Sequence, residues 1–155
     1  MPLAGPNIAP KRNILFACSL NAVRSPMAEG ILRYLVGSRL NVRSAGVRAG
    51  DVDHYAADVL AEIGIDISKH RPAELSSIED EPIDLIISLS PEAHHKALEM
   101  TRTAPIDVEY WPTLDATALP DDANDEQIME SYRKVRDQLF RRIKMRFAVS
   151  GGPSV

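Results

Sequence analysis

The residues best suited to chemistry lie between positions 13 and 30, which read NILFACSLNAVRSPMAEG. Cys18, the single cysteine of the 155-residue chain, follows the apolar run 14–17. Five residues separate it from Arg24, and Ser25 and Pro26 come next. Met27, Ile31, Tyr34 and Leu35 then recur at helical spacing. Pro26 suits the first turn of a helix, where its missing N–H leaves no bond unmade. The pattern predicts a buried strand ending at Cys18, a short loop and a helix N-terminus. Backbone N–H groups gather there and the helix dipole favours negative charge. A thiol in such a place, beside an arginine, is expected to ionise below its free value of about 8.5, at roughly 3.5–7.5. A displacement of about three pH units favours the thiolate by about 4 kcal/mol. A cysteine closing an apolar strand is otherwise a small core hydrophobe. Arg24 sets this one apart, because a guanidinium fork fits an oxyanion and has no role in a core.

If the loop 19–24 wraps a phosphate monoester, the backbone N–H groups of Ser19, Leu20, Asn21, Ala22 and Val23 bind its oxygens. Arg24 then grips two of them, and Cys18 lies beneath the phosphorus for in-line attack. Ser25 is placed to donate a hydrogen bond to the sulfur. Asn21 suits a tight loop, since asparagine tolerates unusual backbone and bonds locally. The leaving oxygen needs a proton, a service typically worth about 10²–10⁴-fold. Asp115, Asp121 and Asp122 on the segment 111–124 are the candidates for it. His94 and His95 are adjacent on a helix and diverge, and His54 has no partner at ligand spacing, so neither a metal nor a cofactor is expected.

These groups need a scaffold. Strands are expected over 13–17, 40–44, 84–89 and 106–110, and helices over 25–36, 51–64, 91–100 and 126–147, with a helical turn within 73–78. Ser90 and Pro91 mark a helix start. Four strands alternating with helices predict an α/β fold, three layers α/β/α with a four-stranded parallel sheet. Ligands of such sheets bind beyond the strands' carboxyl ends, near the point where strand order reverses. Cys18 is expected at one such end. The organisation reads as a flexible arm over 1–12, one domain over 13–149 and a flexible tail over 150–155. In the last helix Ile128, Tyr132, Val135, Leu139 and Ile143 share an apolar face, and its many basic residues read as a solvated outer face.

Hydrophobic content of 45%, charged content of 26% and a net charge of −4 describe an ordinary globular chain. The acidic balance argues against a nucleic-acid partner, and no apolar stretch is long enough to span a membrane. One cysteine leaves no internal disulfide framework. The Pro-rich first residues lack the apolar core of a signal peptide, so a reduced, cytoplasmic setting is expected, and the oligomeric state is not specified.

From Cys18 to Ser25 the sequence resembles the Cys-x5-Arg-Ser loop of the low-molecular-weight protein tyrosine phosphatases, a fold shared with the thioredoxin-coupled arsenate reductases. The likeness continues through 44–46 (SAG), 64–70 (GIDISKH) and 111–115 (WPTLD). The resemblance implies a cysteinyl-phosphate hydrolase acting on a phosphotyrosine protein or small phosphomonoester. It makes Asp115 the general acid and Asn21, Ser44 and His70 a network supporting the loop. This chain departs from the family at Leu20, where glycine is usual, at Val23, where a second cysteine is usual, and at Ala116, where proline follows the acid. If position 20 requires left-handed backbone, Leu20 costs about 1–2 kcal/mol there. The paired tyrosines of many relatives are also missing, and Tyr110 and Trp111 are the residues available as an aromatic wall. Two alternatives accompany this reading: arsenate reduction with an external thiol, and a phosphate- or phosphoprotein-binding module without turnover.

Overall fold

The apolar run before Cys18 becomes a central strand of the sheet because both its faces are covered, the condition under which a strand can be apolar throughout. The computed structural model describes residues 11–147. In it β1 (Asn13–Asn21) lies between β2 (Asn41–Ala49) and β3 (Leu85–Ser88), and β4 (Asp107–Tyr110) pairs with β3. All three pairings are parallel, so the four-stranded parallel sheet expected from the sequence is the one found. The helices are α1 (Arg24–Val36), α2 (His54–Ala61), α3 (Leu75–Ile78), α4 (Pro91–Met100) and α5 (Asp125–Phe147).

Alternation along β1 distributes its side chains. Ile14, Phe16 and Cys18 enter a core shared with α1, α2 and α5, whereas Leu15 and Ala17 pack with residues of α3 and α4 on the other face. The chain runs from β1 outward to β2, then back across β1 to β3. Strand order therefore reverses at β1, and Cys18 lies towards its carboxyl end, where such folds bind ligands. The expected arm falls mostly outside the described residues, as does the tail 150–155.

Several boundaries differ from the sequence expectation, each for a physical reason. β1 does not stop at Cys18, because Leu20 and Asn21 continue the ladder opposite Arg48 and Ala49. β2 is correspondingly longer. α2 starts at His54, where the Asp53 side chain accepts from Tyr55 N at 2.8 Å and caps the first turn. Tyr34 is 59% exposed, so the buried face of α1 runs through Met27, Ala28, Ile31 and Leu32 instead.

Part of the basic surface of α5 is structural. Lys134, Arg141 and Lys144 are exposed as expected, but Arg136 is buried and donates to Val59 O and Glu62 Oε1, both at 2.8 Å. Arg133 reaches Glu62 as well, at 2.8 Å. Bonding from Arg133 and Arg136, opposed by a smaller loss of solvation, holds the Glu62 carboxyl at about 2 against its ordinary 4.5. A carboxylate depressed in the folded state stabilises it above the unfolded value and loses that contribution as pH falls through the folded one. Glu62→Gln should therefore lower the melting temperature at neutral pH and flatten its decline between about pH 5 and about pH 2, read by circular dichroism. An unchanged acid limb would contradict this linkage.

Candidate active site

Cys18 is 1% exposed. Its sulfur lies 2.8 Å from Ser25 Oγ and 2.9 Å from the Leu20 carbonyl oxygen. The proton bookkeeping around it has one direction. Asn21 Oδ1 accepts from Ala73 N at 3.0 Å, which fixes the orientation of the amide. His70 Nε2, 2.9 Å from the same oxygen, must then donate to it. Asn21 Nδ2 donates to Ser25 Oγ at 2.8 Å and to Ser44 Oγ at 3.1 Å. Each hydroxyl has thus received one bond and passes its own proton on. Ser44 gives it to Glu29 Oε1 at 2.5 Å, and Ser25 gives it to the Cys18 sulfur.

The structure thereby brings Cys18, Asn21, Ser25, Ser44 and His70 into one cluster. Glu29 joins it, with His70 Nδ1 3.3 Å and Arg33 Nη2 2.8 Å from its carboxylate. The sequence reading passed over Glu29. Its signal is an acidic side chain among the buried residues of α1. Gly46 matters for another reason: a Cβ there would lie 2.5 Å from Asn21 N and 3.0 Å from the Leu20 carbonyl carbon. Only glycine lets the loop backbone lie so close to β2.

One expectation about the loop is corrected. Burial raises the Cys18 thiol above its ordinary value; Ser25 and the Arg24 charge act in the opposite direction without overcoming it. The low value expected of a thiol at a helix N-terminus assumed contact with water, which this sulfur lacks. Ser19, Leu20, Asn21, Ala22 and Val23, whose N–H groups are expected to bind an oxyanion, follow Cys18 as a continuation of β1 and a turn. Positions 19–21 are strand, so Leu20 takes extended backbone with no left-handed cost. Ser19 Oγ meets Ser90 Oγ, the cap of α4, at 2.9 Å. Ala22 N donates to Leu20 O at 2.7 Å, and its carbonyl accepts from Asp53 N at 3.0 Å. Val23 caps α1 without a side-chain bond.

Arg24 Nη1 donates to Thr113 O at 3.1 Å, which ties the thiol loop to the segment after β4. That segment is fastened to the sheet by Trp111 N to Ser88 O at 2.8 Å and Thr113 N to Leu89 O at 3.1 Å. Ser131 of α5 holds it from the far side through Ala116 O at 2.8 Å. Asp115 is exposed, and its Oδ1 accepts from Thr117 N at 2.9 Å and Thr117 Oγ1 at 2.7 Å. Burial would raise this carboxyl, but the Thr117 bonds and the Arg24 charge prevail and set it below its ordinary range. Asp121 and Asp122 are exposed further along the segment.

Asp53 is a second residue that sequence reasoning missed. It caps α2 through one oxygen and accepts from Tyr132 OH at 2.8 Å through the other, while its own N–H holds the loop at Ala22. An acidic residue just before a helical stripe is the signal that could have found it. The aromatic wall is corrected too. Trp111 is buried edge-on to Phe16 with the Arg142 guanidinium 4.9 Å from its ring, and Tyr110 stacks on His94 at 4.4 Å. Both rings are committed to packing.

Comparison with known proteins places the fold in a family. An arsenate reductase of Bacillus licheniformis is 35% identical over 146 residues, spanning 91% of this chain and 98% of its own. A low molecular weight protein tyrosine phosphatase from T. tengcongensis superposes with a TM-score of 0.71 at 26% identity, over 86% of this chain and 96% of that one. An arsenate reductase in a phosphate-binding state gives 0.67 at 27% identity, over 89% and 98%. The family model described as low molecular weight phosphotyrosine protein phosphatase matches residues 13–148. By this match the chain belongs to that family, an enzyme family of cysteine-based phosphatases and arsenate reductases.

Proposed function

We propose that this chain is a phosphomonoester hydrolase working through a cysteinyl-phosphate intermediate. The observation that carries the reading is the donation of Ser25 to a sulfur that Arg24 also flanks. A core cysteine needs neither a hydroxyl at 2.8 Å nor an amide and imidazole aligned behind it. In the first step the Cys18 thiol releases its proton to solvent as the ester binds, the resulting thiolate attacks phosphorus, the S–P bond forms, and the ester O–P bond breaks. Asp115, protonated from solvent at its exposed carboxylate, gives that proton to the departing oxygen, while Arg24 and the loop amides hold the three non-bridging oxygens. Water then attacks phosphorus with Asp115 taking its proton, the S–P bond breaks, and inorganic phosphate leaves. The Ser25 hydroxyl steadies the sulfur anion as it is released.

The substrate is a phosphotyrosine protein or a small phosphomonoester. With Tyr110 and Trp111 occupied in packing, the exposed large hydrophobic residues on the thiol loop and on the segment carrying Asp115 are Leu20 and Leu114, so the leaving group is expected to meet aliphatic rather than aromatic side chains. A second reading, arsenate reduction, is favoured by the names of the curated relatives. Cys18 would form an S–As(V) adduct, and two external thiols would supply the electrons, leaving as a disulfide with arsenite. The chain's single cysteine permits no internal relay. In this reading and the first, the protein works in a reducing compartment.

Turnover of p-nitrophenyl phosphate decides between them. Cys18→Ser should abolish it, and Asp115→Asn should lower kcat by about 10²–10⁴-fold for esters with poor leaving groups. Arsenite release dependent on added glutathione, with no ester turnover, would favour the reductase. Phosphate protection of Cys18 from alkylation without either activity would leave a binding module. A further expectation concerns the network. Asn21→Ala removes the donor that orients Ser25 and Ser44, and should cut kcat at least about tenfold and lower the melting temperature. Full activity in that variant would show that the hydrogen-bonded chain does not serve the sulfur.

A further inference from the structure

The loop holds a carbonyl oxygen where an oxyanion requires donors. Leu20 O lies 2.9 Å from Cys18 Sγ, nearer than the roughly 3–3.5 Å of a reactant poised for attack. The residue is fixed at both ends. Its backbone pairs in the ladder opposite Arg48, and its carbonyl accepts from Ala22 N at 2.7 Å. Its side chain, 45% exposed, rests on Gly50, where an added Cβ would stand 2.9 Å from Leu20 Cδ1. Arg24 meanwhile donates to Thr113 O.

We propose that Leu20 is a positioning residue that keeps the loop shut in the free protein: its side chain rests on Gly50, its carbonyl fills the place above Cys18, and an oxyanion enters only when the Leu20–Asn21 peptide turns. The inference rests on the phosphate-ester reading of the site. Turning that peptide removes the acceptor of the thiol proton, which passes to solvent, and presents Asn21 N–H in its stead. Gly46 leaves the space beside the moving peptide free of any side chain. Release of Thr113 O by Arg24 completes an anion site of amides and guanidinium. The charged group bearing on the sulfur is Arg24 at the start of α1; Asp115, on the segment after β4, bears on Arg24, and Glu29 and His70 stand behind Ser44 and Asn21. None of these takes the place of the lost acceptor. Apparent anion affinity is then the intrinsic affinity reduced by the fraction of molecules with the loop turned.

Tungstate, an inert oxyanion, tests this by stopped-flow fluorescence of Trp111, the only tryptophan, whose carbonyl accepts from Thr113 Oγ1 at 2.8 Å. Wild type, Leu20→Gly and Gly50→Ala are compared, the last chosen because its methyl group presses on the Leu20 side chain while the loop keeps its own sequence. In wild type the relaxation rate should approach a ceiling as tungstate rises. Both variants should bind tungstate about three- to tenfold tighter, with the pH midpoint of Cys18 alkylation by iodoacetamide moved down. Circular dichroism confirms folding, and if Leu20→Gly fails to fold, Gly50→Ala carries the test. A linear rate in wild type with no gain in the folded variants would overturn the inference, while p-nitrophenyl phosphate turnover would leave the hydrolase reading standing. Absence of both tungstate binding and ester turnover would remove the hydrolase reading and this inference together.

Discussion

Ser25 donates to a sulfur that water cannot reach, and most polar groups near the carboxyl end of β1 are arranged around that donation. Asn21 supplies the proton that commits the Ser25 hydroxyl to the sulfur, and His70 and Ala73 N fix the Asn21 amide. Ser44 and Glu29 close the other branch. Buried polar groups are costly when unpaired, by about 1–3 kcal/mol each, so the network is stable only if every member keeps its partner. The fold meets this condition with residues from β1, α1, β2 and the segment after α2, the four pieces that converge where strand order reverses.

That burial also sets the chemical state of the sulfur. Loss of solvation raises the thiol, and the opposing help from Ser25 and Arg24 does not cancel it. The same side chains that would stabilise a thiolate thus surround a thiol whose proton lies against the Leu20 carbonyl. In the proposed reading a sulfur held in this way is shielded from solvent until the backbone beside it moves. Asp53 and Thr113 matter here because they tether the two ends of the loop, at Ala22 and Arg24, to α2 and to the segment carrying Asp115.

Much of this was legible in the residues. The apolar runs, Pro26, Ser90 and the α5 stripe placed the strands and helices, and the spacing from Cys18 to Arg24 pointed to the candidate site. What escaped depended on partners distant in sequence. Nothing local shows that Leu20 and Asn21 remain in the sheet, since their pairing is with Arg48 and Ala49 on another strand. Ionisation of Cys18 was misjudged because motif and dipole are visible in sequence but depth below the surface is not. Trp111 looked like a wall of the pocket; Phe16 and Arg142, far away along the chain, make it part of the core. The bases of α5 looked solvated until Glu62 and Glu109 appeared opposite them.

The measurement closest to the central claim is mass spectrometry of protein quenched in acid within its first turnovers of p-nitrophenyl phosphate. The account predicts one phosphoryl group, carried on the peptide that contains Cys18 and lost on longer incubation as inorganic phosphate appears. Steady release of p-nitrophenol with Cys18 unmodified at every time point would contradict it.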